Sequence, residues 1–150
     1  MFRSLSPFVL AGLFAAGVAS AGDDANVKDV EALTGTWKVV ELTEKGEKIA
    51  AKELEPVEVV ILGTKMTIND EGKFREEISL KIDATKKPKS VDLRYTKGPN
   101  TDKVEPGIYD IDGDTLKICS CEKKGGDRPK DFASTKENEC SVVVLKRVKK

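Results

Sequence analysis

Gly35-Thr36-Trp37-Lys38-Val39-Val40-Glu41-Leu42-Thr43 is the stretch on which the fold turns. Just before it, Val27, Val30 and Leu33 recur every three residues. That spacing predicts a short helix from Asn26 to Leu33, with Asn26 as a candidate N-cap. From Thr36 onward the period becomes two, the alternation of a strand with one buried face. A glycine separates the two periods, and the chain's single tryptophan opens the second.

The two-residue period persists downstream. Strand one runs from about Thr36 to Thr43, followed by a polar connection with Gly46 and a helical turn at Ala50–Leu54 that ends at Pro56. Strands two and three are Val57–Leu62 and Lys65–Asn69, with Asn69-Asp70-Glu71-Gly72 as a turn. Strand four places Phe74, Ile78, Leu80 and Ile82 on one face, interrupted by Glu76. Strand five alternates Val91, Leu93 and Tyr95 against Asp92 and Arg94, and Gly98-Pro99-Asn100 turns the chain again. Strand six ends at Ile111, where Asp112-Gly113 is a strong hairpin signal. Strand seven is Thr115–Cys121, a polar loop covers Glu122–Glu139, and strand eight is Cys140–Arg147. Eight alternating strands in up-and-down order favour an eight-stranded antiparallel barrel, because closure leaves no exposed sheet edge.

The first residues read differently. Arg3 precedes an apolar run from Phe8 to Val18, and Ala19-Ser20-Ala21 has the small-x-small form of a cleavage site. This is the layout of a secretory signal peptide over residues 1–21, with residues 22–150 as the mature domain. The run is shorter than the ~20 residues a bilayer needs. Gly22 is not a cysteine, so no lipid anchor is expected, and no later segment is apolar enough to span a membrane. The protein is expected to be exported, to the periplasm or beyond.

Composition narrows the chemistry. Removing Arg3 from 26 basic and 26 acidic residues leaves a balanced mature chain. Its charges are interspersed, and no basic stripe of the kind nucleic acid requires is present. Lys146, Arg147, Lys149 and Lys150 read as a solvated chain end. Histidine is absent, which removes imidazole bases, Ser-His-Asp and Cys-His systems and His-ligated metals. No paired carboxylate constellation takes their place, so no enzymatic activity and no cofactor are expected.

Several segments extend the pattern into a resemblance. Leu33-Thr34-Gly35-Thr36-Trp37-Lys38-Val39-Val40 resembles the opening of a lipocalin-like domain family of unknown function found in planctomycete bacteria. Asp83 to Leu93 resembles a later part of it, as does Gly107 to Cys119 with its Asp112-Gly113-Asp114-Thr115-Leu116-Lys117-Ile118-Cys119 run. Arg128-Pro129-Lys130-Asp131-Phe132 is similar to that family's Arg-Pro-x-x-Phe element, and Val144-Leu145-Lys146-Arg147 to its closing strand. The resemblance covers about residues 30–148 and departs at Ser120, Cys121 and Cys140. It implies a lipocalin-like barrel and carries no established activity. It also implies that Trp37, after Gly35, packs at the closed end of the barrel with Arg147 of the last strand across its ring.

The three cysteines follow from strand register. If Leu116 faces Leu145, then Ile118 faces Val143 and Cys121 faces Cys140, both apolar pairs pointing inward. Cys119 would stay free and outward. A Cys119–Cys140 bond, three free thiols and a three-thiolate zinc site are the alternatives. Zinc would lack a fourth ligand and its usual spacings. Asp110, Asp112 and Asp114 around Gly113 resemble a fragment of a calcium loop, but a hairpin turn accounts for them better. Glu76 either points into a cavity or escapes to solvent at a bulge. Tyr95 and Tyr109 read as core. The remaining functional alternatives are a carrier of a small, mostly apolar ligand at the open end, and an interaction module with a filled barrel.

Overall fold

The computed structural model of the chain describes residues 21–122 and 126–149. The signal peptide expected over residues 1–21 lies, except for Ala21, outside them. Helix α1 (Ala21–Leu33) leads into β1 (Gly35–Glu44), the two-residue β2 (Glu47–Lys48) and the short helix α2 (Ala51–Leu54). Seven strands follow: β3 (Val57–Leu62), β4 (Lys65–Asp70), β5 (Lys73–Asp83), β6 (Lys89–Lys97), β7 (Val104–Asp112), β8 (Thr115–Cys121) and β9 (Cys140–Arg147).

From β3 to β9 each strand pairs with the next, β3 also pairs with β1, and β9 returns to β1. The last pairing runs from Trp37 opposite Arg147 to Glu44 opposite Ser141 and closes an eight-stranded antiparallel barrel. β2 is a two-residue ribbon on the far end of β1. Closure pairs every long strand on both edges, which is the physical reason such sheets resist edge-to-edge aggregation.

The eight-stranded barrel expected from the alternation is present, with one short helix before it as a lipocalin-like fold would have. Its β7–β8 hairpin closes on the pair Asp112–Thr115, so Gly113 and Asp114 form the two-residue loop. Gly113 has φ +58°, a conformation that glycine adopts without steric cost at the first position of a tight hairpin.

Two expectations are corrected. The N-terminal helix starts at Ala21, so Asn26 lies inside it. The Asn26 side chain instead accepts a hydrogen bond from the Ala84 backbone at 2.8 Å and ties the helix to the β5–β6 connection. The buried positions of α1 are Asp29 and Leu33, four apart, and Val27 is 58% exposed. Three-residue spacing over two turns drifts off a single helical face, and the i, i+4 pair is the one that faces the barrel.

Phe74 is the second. It is 51% exposed, not inward. A bulge between Ile68 and Asn69 sets Glu76 opposite Ile68 and Phe74 opposite Asn69, leaving Arg75 as the extra residue. An extra residue reverses the alternation. Glu76, Ile78, Leu80 and Ile82 therefore share the inner face, while Phe74 falls outside it.

The inner core runs from Leu33 and Trp37 through Val59, Ile61, Leu116 and Leu145. A second, smaller cluster lies on the outer face of the barrel: Ile108, Cys119, Cys121 and Cys140, with Phe132 and Val142 packed on it. The loop between β8 and β9 thus folds back over the wall it leaves.

Candidate functional site

The two ends of the barrel differ. At one end Trp37 has no accessible surface, and its indole nitrogen donates to the Leu33 carbonyl at 2.9 Å. The Arg147 guanidinium lies over the indole ring, 4.3 Å from the centroid. It donates to the Thr34 carbonyl at 2.8 Å and to the Ala32 carbonyl, and its Nε pairs with Asp114 at 3.3 Å. A helix end leaves carbonyls without intrahelical donors, and a cation there is favourable. α1 has no basic residue in its last turn, so Arg147 supplies that charge from β9. Gly35 is required by the same arrangement: a Cβ there would lie 2.6 Å from Arg147 Nη1, and its φ is +149°.

Helix α1 is fixed over this end by a second contact. Asp29 accepts a hydrogen bond from the Tyr109 hydroxyl at 2.7 Å and pairs with Lys89 at 2.9 Å. Burial, and then the Asp29 carboxylate, push the Tyr109 phenol well above its ordinary pKa. Tyr109 is therefore core, as its strand position predicts. Of the basic tail, Lys146 is exposed, Arg147 is tucked over Trp37 and Lys149 pairs with Asp114 at 3.2 Å. Lys150 lies outside the described residues.

Toward the opposite end the barrel is not filled. A cavity of about 270 Å³ reaches from Val59, Met66 and Leu145 to Leu42, Glu44, Glu122 and Ser141. The last four lie near the end of β1, beyond β8 and at the start of β9, so the opening faces away from Trp37. The volume is just under the ~300 Å³ where drug-sized pockets begin and suits one small molecule in a small barrel.

Its walls are less apolar than the sequence suggests. Glu105 is 5% exposed, and its Oε2 accepts from Ser120 Oγ at 3.1 Å and, more distantly, from the Tyr95 hydroxyl at 3.4 Å. Lys103 lies 3.5 Å from Glu105 Oε1. Glu76 also lines the cavity, half-buried, and accepts from Asn100 Nδ2 at 2.5 Å. Tyr95, expected in the core, packs against it but presents its hydroxyl to this cavity. Burial first, then the Glu105 and Glu76 charges, hold its phenol well above the usual range.

The strand alternation itself marks Glu105 and Ser120 as inward-facing, although neither is among the candidate residues read from the sequence. Counting by twos back from Ile111 and Tyr109 through Gly107 reaches Glu105. Counting forward from Leu116 and Ile118 reaches Ser120. A carboxylate at an inward parity is the signal that a cavity wall carries charge.

The cysteines lie outside the cavity. Leu116 pairs with Leu145, Ile118 with Val143 and Cys121 with Cys140, and the last pair forms a disulfide. Cys119 is free and points out of the barrel, but it has no accessible surface because the β8–β9 loop covers it. The Arg-Pro-x-x-Phe element fastens that loop. Arg128 donates to the Val91 and Gly107 carbonyls at 3.0 and 2.8 Å and pairs with Asp92 at 2.6 Å. Phe132 covers the outer cluster, and Lys117 Nζ sits 5.5 Å above its ring.

Beside Arg128 an external groove of about 680 Å³ carries Lys81, Lys86, Lys87 and Lys130. It is larger than the cavity and more open to solvent. The cavity inside the barrel is the better candidate site. Among the described residues no group of three or more acidic or cysteine side chains is arranged to hold a metal ion, and no helix is long and apolar enough to cross a membrane. No protein-family model, no curated protein and no solved structure matches the chain.

Proposed function

We propose that the protein is a carrier for one small, mostly apolar molecule held inside the barrel. The observation that carries this reading is the 270 Å³ cavity open at the end opposite Trp37. Apolar walls provide affinity by removing ligand surface from water, and a few polar groups orient it. The alternative, an interaction module, calls for a filled barrel. Its best surface is the basic groove beside Arg128. An environment-sensitive apolar dye, competed by candidate lipids and pigments, tests the carrier. Saturable, competable binding near 1:1 supports it, and the absence of such binding leaves the interaction module.

The carrier is proposed to work outside the cytoplasm. The Cys121–Cys140 bond supports this, since disulfides persist in oxidising compartments. The Ala19-Ser20-Ala21 site supports it from the sequence. N-terminal sequencing of the protein from its host should begin at Gly22, and an intact Met1 would contradict export by this route. The motifs around Trp37, Gly113 and Arg128 support membership of the planctomycete lipocalin-like family.

A further inference from the structure

We propose that the ligand's head is a protonated amine, held by Glu105 and Glu76 with its apolar body in the barrel cavity. The inference rests on the carrier reading and specifies the ligand's chemistry.

The polar part of the cavity combines the hydroxyls of Tyr95, Ser120 and Ser141 with acidic side chains. Glu44, Glu76, Glu105 and Glu122 all line it. The hydroxyls of Ser120 and Tyr95 are already directed at Glu105 Oε2. Lys103 is shared, 3.5 Å from Glu105 and 3.9 Å from Glu122, and Lys45 is 3.6 Å from Glu122. Among the described residues, the ion pairs to these carboxylates come from Lys103 and Lys45, and every charged side chain that lines the cavity is acidic.

Glu105 is the central residue. Its side chain is only 7% exposed, with the Ser120 and Tyr95 hydroxyls on Oε2 and the Lys103 ammonium 3.5 Å from Oε1. A carboxylate has about four acceptor positions, so these three partners leave room for one further donor. Glu76 is half-buried in the same lining and accepts from Asn100 at Oε1. The charges of Glu105, Glu76 and Glu122 all act on the Tyr95 hydroxyl, so their fields converge on one part of the cavity.

The head group follows by comparison. A carboxylate head would meet several like charges. An alcohol offers one donor and no charge. An ammonium offers three donors and the opposite charge, and charge-assisted hydrogen bonds are about twice as strong as neutral ones. A bare metal ion fits less well, because the carboxylates do not converge closely enough to chelate one. The apolar walls match a hydrocarbon body.

The test uses the protein spanning residues 22–150 and three probes of equal chain length: n-octylamine, n-octanol and octanoate. Calorimetric titration at neutral pH should give octylamine an affinity at least about tenfold above octanol, with octanoate weakest. Glu105→Gln should abolish most of that advantage, collapsing the octylamine-to-octanol affinity ratio toward one, and Glu76→Gln should remove part of it. The wild-type ranking decides the matter even if a variant folds poorly. Octanol or octanoate binding as tightly as octylamine overturns the amine head and leaves the carrier standing. Failure of octylamine where the apolar dye still binds does the same. Failure of the dye and all three probes overturns the carrier together with this inference.

Discussion

Arg147 lies across Trp37 with its guanidinium carbon 4.3 Å from the ring centroid, although 110 positions separate the two in sequence. The pair joins three elements. β1 supplies the ring, β9 the cation, and α1 the carbonyls of Ala32 and, just beyond its end, Thr34 that the cation satisfies. Removing the guanidinium loses a cation–π contact and leaves helix-end carbonyls without donors.

Arg147→Ala should therefore destabilise the protein by about 2–4 kcal/mol, since a cation–π contact and charged hydrogen bonds are lost together. Arg147→Lys should restore the charge but less than half of the stability, because an ammonium cannot reproduce the planar fork. Urea unfolding followed by Trp37 emission measures both. A cost below about 0.5 kcal/mol for Arg147→Ala, the size of an ordinary surface change, would show that the contact is incidental. Gly35→Ala should be comparably damaging, because its Cβ would displace the same guanidinium.

The Asp29 contact predicts a more local effect. α1 has only weak amphipathicity and holds its place through Asp29, Asn26 and Leu33. Tyr109→Phe and Asp29→Asn should each cost about 1–3 kcal/mol, the range for losing a buried hydrogen bond to a charge. Hydrogen exchange should show α1 amides losing protection before those of the barrel strands. Equal loss throughout would mean that helix and barrel unfold as one unit.

Non-reducing peptide mapping should find one bridge, Cys121–Cys140, and a free Cys119. Replacing both bridged cysteines by serine should cost about 3 kcal/mol in the chain-entropy model for a loop of this size. A Cys119–Cys140 bond would mean that the β8–β9 register slips in solution.

Cys119 gives a pH prediction. Burial pushes its thiol up from 9.0 to about 11. The thiolate therefore forms first in the unfolded chain, which binds fewer protons than the native state between those values. Stability must fall as pH rises from about 9 to about 11. Tyr95 and Tyr109, also raised, add the same sign above their ordinary value of 10.0. Cys119→Ala should flatten the decline between pH 9 and 10, and an unchanged slope would refute the assignment. Native Cys119 should also resist alkylation at pH 8. Phe132→Ala, which uncovers the outer cluster, should make it react faster.

The alternation from Thr36 to Arg147 was enough to determine the barrel. Period two fixes which residues share a face, and the turn residues fix where strands end. The same arithmetic placed Cys121 opposite Cys140, because one inward pair, Leu116 with Leu145, sets every later pair in a regular ladder. It failed at Phe74, where a bulge breaks the ladder and reverses parity without any sequence mark. It failed again at Asn26, since a tertiary partner, the Ala84 amide, outcompeted a local capping role. The cavity was beyond reach for a different reason. Whether inward side chains fill a closed barrel depends on volumes contributed by eight strands at once, and no local pattern encodes that sum. Glu105 shows the division most clearly. Its inward parity is written in the chain, but only the closed barrel brings it beside Tyr95, Ser120 and Lys103, where burial gives its charge consequence.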